Sequence, residues 1–454
     1  MSEQQALSRG LKDRHVTMLS IAGVIGAGLF VGSGHAIAKA GPAVIIAYML
    51  AGLLVVLVMR MLGEMAVAQP DSGSFSTYAD RAIGPWAGYI IGWLYWWFWV
   101  LVIPLEATAA ATILNAWFVG VPLWAFALGI TILLTITNLF SVKNYGEFEF
   151  WFALAKVVAI IGFIVVGAAA IFGLIPGSQV SGVSNLLSNG GFMPAGIGAV
   201  LGALLTTMFT FMGTEIVTIA AAESTNPQQQ IVKATNSVIW RISLFYFCSI
   251  FIVVALVPWN DPALPEVGSY QRVLDLIGVP HAKAIIDVVV LLAVASCLNS
   301  ALYTASRMLY SLAARGDAFP LFKQTNQSGT PINAVLGSMV VGFLTVIANY
   351  AVPKAVFDVL LATSGAIALC VYVVIAWSQI KLRQRLEKNG EAPNFKMWLF
   401  PWLSYLVIVF IVSVLIFMAT QEDHQIEIIG TGLLIVFVML VGWARAKVMG
   451  RVWW

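Results

Sequence analysis

Five ionisable side chains lie inside long apolar stretches of the sequence: Glu64, Glu106, Lys156, Glu215 and Asp287. A charged group in hydrocarbon is costly unless it is paired or faces a water-filled cavity. Glu64 and Asp287 lie near the ends of their stretches, where contact with solvent explains them. Glu106, Lys156 and Glu215 lie deeper, so these three are candidates for binding a charged solute or carrying a proton.

Five glycines cluster in an equally apolar setting, in "GVIGAGLFVGSG" at residues 23–34. Glycine costs about 1 kcal/mol relative to alanine inside a helix, so this density predicts backbone that leaves the helical conformation. A second interruption is expected in "MFTFMGTEIVTI" at 208–219, where Gly213 precedes Thr214 and Glu215. Freed amide groups bind an anion and freed carbonyl groups bind a cation, so the two interruptions predict a site for a zwitterion.

The composition places these residues in a membrane. The chain of 454 residues is 60% hydrophobic and only 10% charged, whereas soluble domains carry about 25% charged residues. Its mean hydropathy is +0.91. Twelve apolar segments approach the ~20 residues that cross a bilayer. They lie at 17–38, 42–68, 86–115, 121–141, 151–174, 196–221, 236–258, 282–310, 332–352, 357–378, 399–419 and 427–446.

The two interruptions fall in the first and sixth segments, five spans apart, which is the pattern of an inverted-repeat transporter. We therefore predict an all-α polytopic membrane protein of twelve transmembrane helices. Spans one to five (17–174) form the first repeat, and spans six to ten (196–378) form the second. Two extra helices (399–446) follow, and short segments at 1–16 and 447–454 lie outside the membrane.

Lysine and arginine are distributed unevenly between alternate loops. If the N-terminus lies inside, nineteen of them fall on the cytoplasmic side and one, Lys156, lies within a span. The opposite side holds only four: Lys39, Arg272, Lys283 and Lys354. Cytoplasmic loops carry the excess of basic residues, so both termini are predicted to be cytoplasmic.

Other classes of protein fit the sequence less well. Four histidines and three cysteines form no metal-ligand cluster, and neither a nucleophile elbow nor a phosphate loop is present, so an enzyme is not expected. We expect no cofactor, no metal and no nucleic acid partner. A channel would need a continuous polar pore lining, and a sensor would normally add a soluble domain.

The interruptions also have structural explanations. Gly28 and Gly32 form a GxxxG pair, which can serve tight helix packing alone. Phe209 and Phe211 can be packing aromatics rather than a gate. The matching interruption in the sixth span favours the functional interpretation.

Several segments resemble the bacterial amino acid transporters of the amino acid, polyamine and organocation superfamily. They include "RHVTMLSIAGVIGAGLFVGSG", "SVKNYGEFEFW", "FMGTEIVTIAAAES" and "SCLNSALYTASRMLYSLAARGDA". Within that superfamily, "GSFSTYADRAIGPWAGYIIGWLYWWFWVLVIPLEA" and "ATNSVIWRIS" are most similar to the gamma-aminobutyrate permeases. The resemblance covers nearly the whole chain.

The resemblance implies a LeuT-like fold, with five plus five inverted spans and two more appended. It also implies proton-coupled import of gamma-aminobutyrate and related omega-amino acids across the bacterial inner membrane by alternating access. A proton-coupled permease for another amino acid, such as proline or an aromatic or basic one, is the alternative.

The resemblance further implies roles for individual residues. Gly26, Ala27 and Gly28 match the family's glycine turn, whose N–H groups hold the substrate carboxylate. Phe209 matches the aromatic gate over the substrate. The residues whose carbonyl groups receive the substrate amino group are matched by Val24, Phe209 and Met212.

Lys156 matches a lysine of span five that takes the place of a sodium ion in proton-coupled relatives. A lysine in a low-dielectric wall gives up its proton readily, so the residue can load and release protons. Snorkelling is the structural alternative, because Lys156 lies within about 8 Å of the predicted span end. Ser300, in span eight, is the expected polar neighbour, and Glu215 is a further proton-coupling candidate.

Glu106 departs from the related arginine carriers, which have an apolar residue at the aligned position facing the pocket. A carboxylate there can meet the distal ammonium group of a substrate whose amine and acid are several carbons apart. A protonated glutamic acid, hydrogen-bonded to span ten or to backbone, is the alternative. The sequence leaves both interpretations open.

Overall fold

A computed structural model describes residues 7, 11–22, 25–26, 28–139, 142–351, 353–450 and 453. In these ranges the chain is helical, with no β-strand and a single isolated bridge between Leu11 and Ser224. The α-helices are α1 (Asp13–Ala22), α2 (Ser33–Ala40), α3 (Val44–Ala68), α4 (Ser74–Ala82), α5 (Pro85–Trp117), α6 (Leu123–Leu139), α7 (Val142–Ile171), α8 (Gly196–Phe211), α9 (Ile216–Ala222), α10 (Pro227–Arg241), α11 (Ser249–Leu256), α12 (Ala263–Val267), α13 (Ser269–Ile277), α14 (Ala282–Arg315), α15 (Ile332–Ala351), α16 (Pro353–Lys388), α17 (Trp402–Ala419) and α18 (Glu422–Met449).

Two π-helical segments, Gly28–Gly32 and Ile242–Cys248, lead into α2 and α11. Short 3-10 turns lie at Gly41–Ala43, Ser184–Leu186 and Pro320–Lys323.

Eight helical stretches of the described chain are long and apolar enough to cross a bilayer, and three shorter apolar helices accompany them. The prediction of an all-α membrane protein is confirmed, while the count of twelve spans stays a prediction. Several helices extend beyond the predicted spans. Helix α14, for example, continues to Arg315, where Gly316 in the left-handed conformation (φ +82°) caps it with its N–H on Leu312 and Ala313.

Both expected interruptions are present. Helix α1 ends at Ala22 and the next helical turn begins at Gly28. Helix α8 ends at Phe211 and α9 begins at Ile216, with Gly213 at φ +99° in the turn between them. That positive φ is accessible to glycine without steric cost, which explains a glycine at this point.

The core of the bundle lies around α14, which packs along α5, α7 and α15. Helices α17 and α18 lie at the periphery, where large apolar side chains face outward, among them Leu433, Phe437 and Leu440 at 66%, 63% and 55% exposure. Apolar surface of this extent suits contact with lipid chains rather than water.

An ion pair in the protein interior joins the broken sixth span to α14. Arg307 Nε lies 3.2 Å from Glu223 Oε1, and both side chains are at most 3% exposed. The guanidinium group also stacks over the Tyr303 ring at 4.0 Å, and Tyr303 stacks in turn on Tyr145 of α7 at 4.3 Å between centroids. This column of contacts ties α7, α14 and the end of α9 together.

Arg307→Met should lower the apparent Tm of the detergent-purified protein strongly. Removing one partner of a buried ion pair leaves the other charge buried without a counter-charge, which lowers the free energy of unfolding by about 3–5 kcal/mol. The double variant Arg307→Met/Glu223→Met removes both charges and should recover most of the lost stability. A single variant as stable as the unmodified protein would show that the pair contributes nothing.

Candidate functional site

A small cavity, lined mainly by apolar side chains together with Glu106 and Thr210, lies at the interruption of the first span. It encloses about 20 Å³, roughly the space of one water molecule. The first span, α5, the sixth span and α14 all contribute to its wall. The lining residues are Gly26, Gly28, Leu29, Phe98, Trp99, Val102, Glu106, Thr210, Met212 and Cys297. The sequence-predicted residues Gly26, Gly28, Glu106 and Met212 are therefore brought together.

Glu106 projects from α5 directly onto the glycine turn and is 1% exposed. A Cβ atom built on Gly26 would collide with Glu106 Oε1 and would lie 2.9 Å from Cys297 Sγ. Glu106 also interacts electrostatically with Lys156 and Cys297. Only glycine at position 26 leaves room for this carboxyl group beside the first span.

Helix α5 carries a proline, Pro104, two residues before the cavity residue Glu106. Pro104 has no N–H group, so it cannot donate a helical hydrogen bond to the carbonyl group of Val100. Thr108 Oγ1 donates to the Pro104 carbonyl group at 2.7 Å. The backbone of α5 therefore lacks one of its internal bonds next to Glu106.

Glu215 closes the interruption of the sixth span. Its two carboxylate oxygens each accept the N–H of Gly213 at 3.1 Å, a donor that the broken helix leaves without a helical partner. Glu215 Oε1 also accepts the hydroxyl group of Tyr95 at 3.0 Å, and the glutamate is fully buried. The interruption is thus held against α5.

Lys156 is fully buried and reaches the interruption of the first span. Its ammonium group donates to the carbonyl oxygen of Ile25 at 3.1 Å and to Ser296 Oγ at 2.7 Å. The geometry therefore differs from snorkelling, which would carry the amine to the membrane surface. An ammonium group on an unwound carbonyl is the arrangement in which broken helices of transporters bind cations.

The hydroxyl group beside Lys156 belongs to Ser296, one helical turn before Ser300. Ser300 lies against Tyr145, with 3.4 Å between the two hydroxyl oxygens. The role of Ser300 in proton coupling stays a prediction. The expected contact with Lys156 is made by Ser296 instead.

Glu149 is a buried polar residue that sequence reasoning missed. It is fully buried, accepts a hydrogen bond from Ser296, and has Asn299 Nδ2 at 3.5 Å. The fifth span was expected to begin at 151, but α7 begins at Val142, which places Glu149 inside the bundle. The seven-residue spacing to Lys156, two helical turns, was the available signal that both residues share one face.

Three predicted residues cannot be placed fully. Val24 and Ala27 lie outside the described residues, and for Phe209 the backbone of α8 is described but the side chain is not. The predicted gate and two of the predicted substrate contacts therefore stay predictions.

Glu64 and Asp287 take part in ion pairs near helix ends. Glu64 Oε2 lies 3.3 Å from Arg383 Nη1. Asp287 pairs with Lys283 at 2.8 Å and accepts the indole N–H of Trp117 at 2.9 Å. Both carboxylates are buried, at 3% and 6% exposure, so the expected contact with solvent is wrong, and these local partners satisfy them instead.

Two broken helices that meet at a small buried cavity, inside a bundle of apolar helices, are the architecture of a membrane transporter. Comparison with known proteins gives the family. Residues 15–453 match the family model described as amino acid permease. The chain belongs to the amino acid permease family, and it is a multi-pass membrane transporter rather than an enzyme.

The "Probable GABA permease" of Pseudomonas aeruginosa is 66% identical over 97% of this chain and 93% of its own length. The "Gamma-aminobutyric acid permease" of Escherichia coli strain K12 is 64% identical over 96% of this chain and 94% of its own length. These relatives confirm the resemblance to gamma-aminobutyrate permeases.

A solved structure of the Eremococcus coleocola manganese transporter has a TM-score of 0.58 at 13% sequence identity, over 95% of this chain and 92% of that one. The likeness confirms the LeuT-like fold but says nothing of the cargo. Within the described part of this chain, no group of three or more His, Cys, Asp or Glu side chains is placed to hold a metal ion.

Gly26→Ala should weaken transport of labelled gamma-aminobutyrate, the substrate in the relatives' names. The added methyl group displaces Glu106 and Cys297, and overpacking of this kind costs about 1–3 kcal/mol, or roughly ten- to a hundredfold in affinity. Gly32→Ala is the matched control, because a Cβ atom there meets nothing within 4 Å. Equal transport by both variants would show that the space over Gly26 is not part of the substrate site.

Proposed function

We propose that this protein imports gamma-aminobutyrate and related omega-amino acids together with protons, by alternating access. The single observation that carries the proposal is the fully buried ammonium group of Lys156 on the carbonyl oxygen of Ile25. In broken helices of transporters, unwound carbonyl groups bind a metal cation. Here the protonated Lys156 supplies the positive charge at such a carbonyl group.

The substrate class follows from the relatives and from the chemistry of the cavity. Gamma-aminobutyrate is a zwitterion, and the interrupted spans offer freed N–H groups for its carboxylate and freed carbonyl groups for its ammonium group. We assign the carboxylate to the turn of Gly26, Ala27 and Gly28. The ammonium group is assigned to carbonyl groups of the two interruptions, those of Val24, Phe209 and Met212.

The size of the cavity supports alternating access. A space for about one water molecule is too small for gamma-aminobutyrate, so the site must expand before substrate enters. Phe209, which precedes the cavity residue Thr210 in α8, is the proposed gate that moves in this expansion. Tyr95 and Glu215 join α5 to the sixth span and would move with it.

Glu106 must be protonated or must change its orientation when substrate binds. Its carboxyl group lies on Gly26, where the substrate carboxylate is expected, and two carboxylates in contact repel each other unless one is protonated or turns away. We propose that Glu106 turns from the glycine turn to the distal ammonium group when substrate binds. A protonated Glu106 that belongs to the proton path with Lys156 is the alternative.

The protein is proposed to lie in the bacterial inner membrane with both termini in the cytoplasm, on the strength of the nineteen-to-four distribution of basic residues. Spans 17–174 and 196–378 would then move as the two inverted repeats around the cavity. The proposed partners are the amino acid substrate, protons and the lipid bilayer.

Uptake of labelled gamma-aminobutyrate into proteoliposomes should collapse when a protonophore is added and should not change when sodium is replaced by choline. The physical reason is that Lys156 provides the positive charge at the first span. Strict dependence on sodium would overturn the assignment of Lys156.

Lys156→Ala should abolish accumulation driven by a pH gradient while leaving exchange of internal for external substrate measurable. Exchange does not require a proton to be released, whereas accumulation does. A variant that still accumulates substrate against a gradient would exclude Lys156 as the proton carrier.

Glu106→Gln should weaken binding of gamma-aminobutyrate by about ten- to a hundredfold, because a charge-assisted hydrogen bond in a dry site contributes about 1.5–3 kcal/mol. Binding is measured by isothermal calorimetry or by competition in counterflow, with proline and phenylalanine as alpha-amino acid competitors. Normal binding with lost accumulation would assign Glu106 to the proton path. Stronger competition by the alpha-amino acids than by gamma-aminobutyrate in the unmodified protein would overturn the proposed substrate.

A further inference from the structure

We propose that Glu149 is a second proton-transfer residue, which receives the proton of Lys156 through the hydroxyl group of Ser296. The inference rests on the proposed proton coupling and adds to it the group that takes the proton next. It follows from a hydrogen-bonded chain in the fully buried interface of α7 with α14.

The three side chains are arranged with their donors in one direction. Lys156 Nζ donates to Ser296 Oγ at 2.7 Å, and Ser296 Oγ donates to Glu149 Oε1. Both charged groups are fully buried. A serine hydroxyl group can accept one proton while it donates another, so the chain needs no rearrangement to pass a proton from amine to carboxylate.

The transfer balances in one step. The Lys156 ammonium group loses a proton to Ser296 Oγ, the hydroxyl proton of Ser296 moves to Glu149 Oε1, and Ser296 is again a neutral hydroxyl group. An ammonium and a carboxylate become an amine and a carboxylic acid, so the net charge of the interface does not change. Burial penalises the ionised pair, whereas the attraction between its opposite charges favours it, and because these two terms offset each other the two states are close in free energy.

The transfer also changes the strength of the hydrogen bond between Lys156 and the first span. The charged Lys156 donates to the Ile25 carbonyl group at 3.1 Å. Hydrogen bonds from an ionised donor are about twice as strong as neutral ones. Moving the proton to Glu149 therefore weakens the contact that fixes the interrupted backbone, which links the position of the proton to movement of the first span.

The hydrogen-bond donors around Glu149 favour its carboxylate form, which is the form that can accept a proton. Asn299 Nδ2 approaches Glu149 Oε2 at 3.5 Å, and Asn138 Nδ2 donates to Asn299 Oδ1 at 2.6 Å. Glu149 also interacts electrostatically with ionisable groups on its own helix, Lys156 and Tyr145, and on α14, Cys297. With both termini cytoplasmic, α7 begins on the cytoplasmic side, so the step from position 156 to 149 is directed inward.

The test uses purified protein in liposomes that contain a pH-sensitive dye, with labelled gamma-aminobutyrate outside. Glu149→Gln keeps the size and hydrogen-bonding capacity of the side chain but cannot take up the proton. A positioned acid or base contributes about a hundredfold or more to proton transfer. Substrate-dependent proton influx and gradient-driven uptake should fall by that factor, while exchange stays within about twofold of the unmodified protein.

The matched control is Glu147→Gln on the same helix. Glu147 is a partly exposed carboxylate that pairs with Arg14 at the surface, outside the buried chain. It should keep both proton influx and exchange. Glu149→Asp, which restores a carboxylate on a shorter side chain, should recover proton influx with an altered pH profile.

The outcomes separate this inference from the proposed function. An unmodified protein that shows no substrate-dependent proton influx overturns the proposed coupling and this inference with it. Coupled influx that Glu149→Gln retains overturns the role of Glu149 alone. Should Glu149→Gln not fold, Ser296→Ala decides: selective loss of proton influx in this variant supports the chain, and unchanged influx overturns it.

Discussion

The hydrogen bond from Lys156 to the carbonyl oxygen of Ile25 is the interaction around which the transporter is arranged. Hydrocarbon supplies no water to a polar backbone group, so a helix can be interrupted inside a membrane only where protein groups replace the lost bonds. Lys156 does this for the first span, and Glu215 does it for the sixth by accepting the N–H of Gly213. Each interruption therefore depends on a buried ionisable residue.

Because of this constraint, the same few side chains are ionisable and also stabilise the interrupted backbone. The groups that satisfy the broken backbone, Lys156 and Glu215, are ionisable, so protonation can change their charge. A change of protonation consequently alters the strength of the bonds that hold the interrupted spans, without any long chain of intermediates. Glu106 connects this network to the cavity through its interactions with Lys156 and Cys297.

Helix α14 links the elements that carry these residues. Cys297 lines the cavity, Ser296 contacts Lys156, and Arg307 pairs with Glu223 at the end of the sixth span. One continuous helix thus contacts the cavity, Lys156 and the end of the sixth span. Such a rigid element can transmit a shift at one of these places to the others.

The sequence by itself determined the class of protein, the interruptions and the identity of three deeply buried ionisable groups. Composition and the length of apolar segments establish a membrane bundle, and glycine clusters reveal where helices break, because these are local properties of the chain. Glu106, Lys156 and Glu215 could be recognised for the same reason: a charge inside an apolar segment is visible without knowing its neighbours.

Only the tertiary structure decided which side chains meet. Apolar periodicity does not fix the rotation of one helix against another, and successive residues point about 100° apart around the axis. That is why the sequence did not show that Ser296, rather than Ser300, contacts Lys156. The close approach of the Glu106 carboxyl group to Gly26 was not foreseen for the same reason. Glu149 was missed because the end of a helix depends on its packing, and α7 begins nine residues before the apolar segment that predicted it.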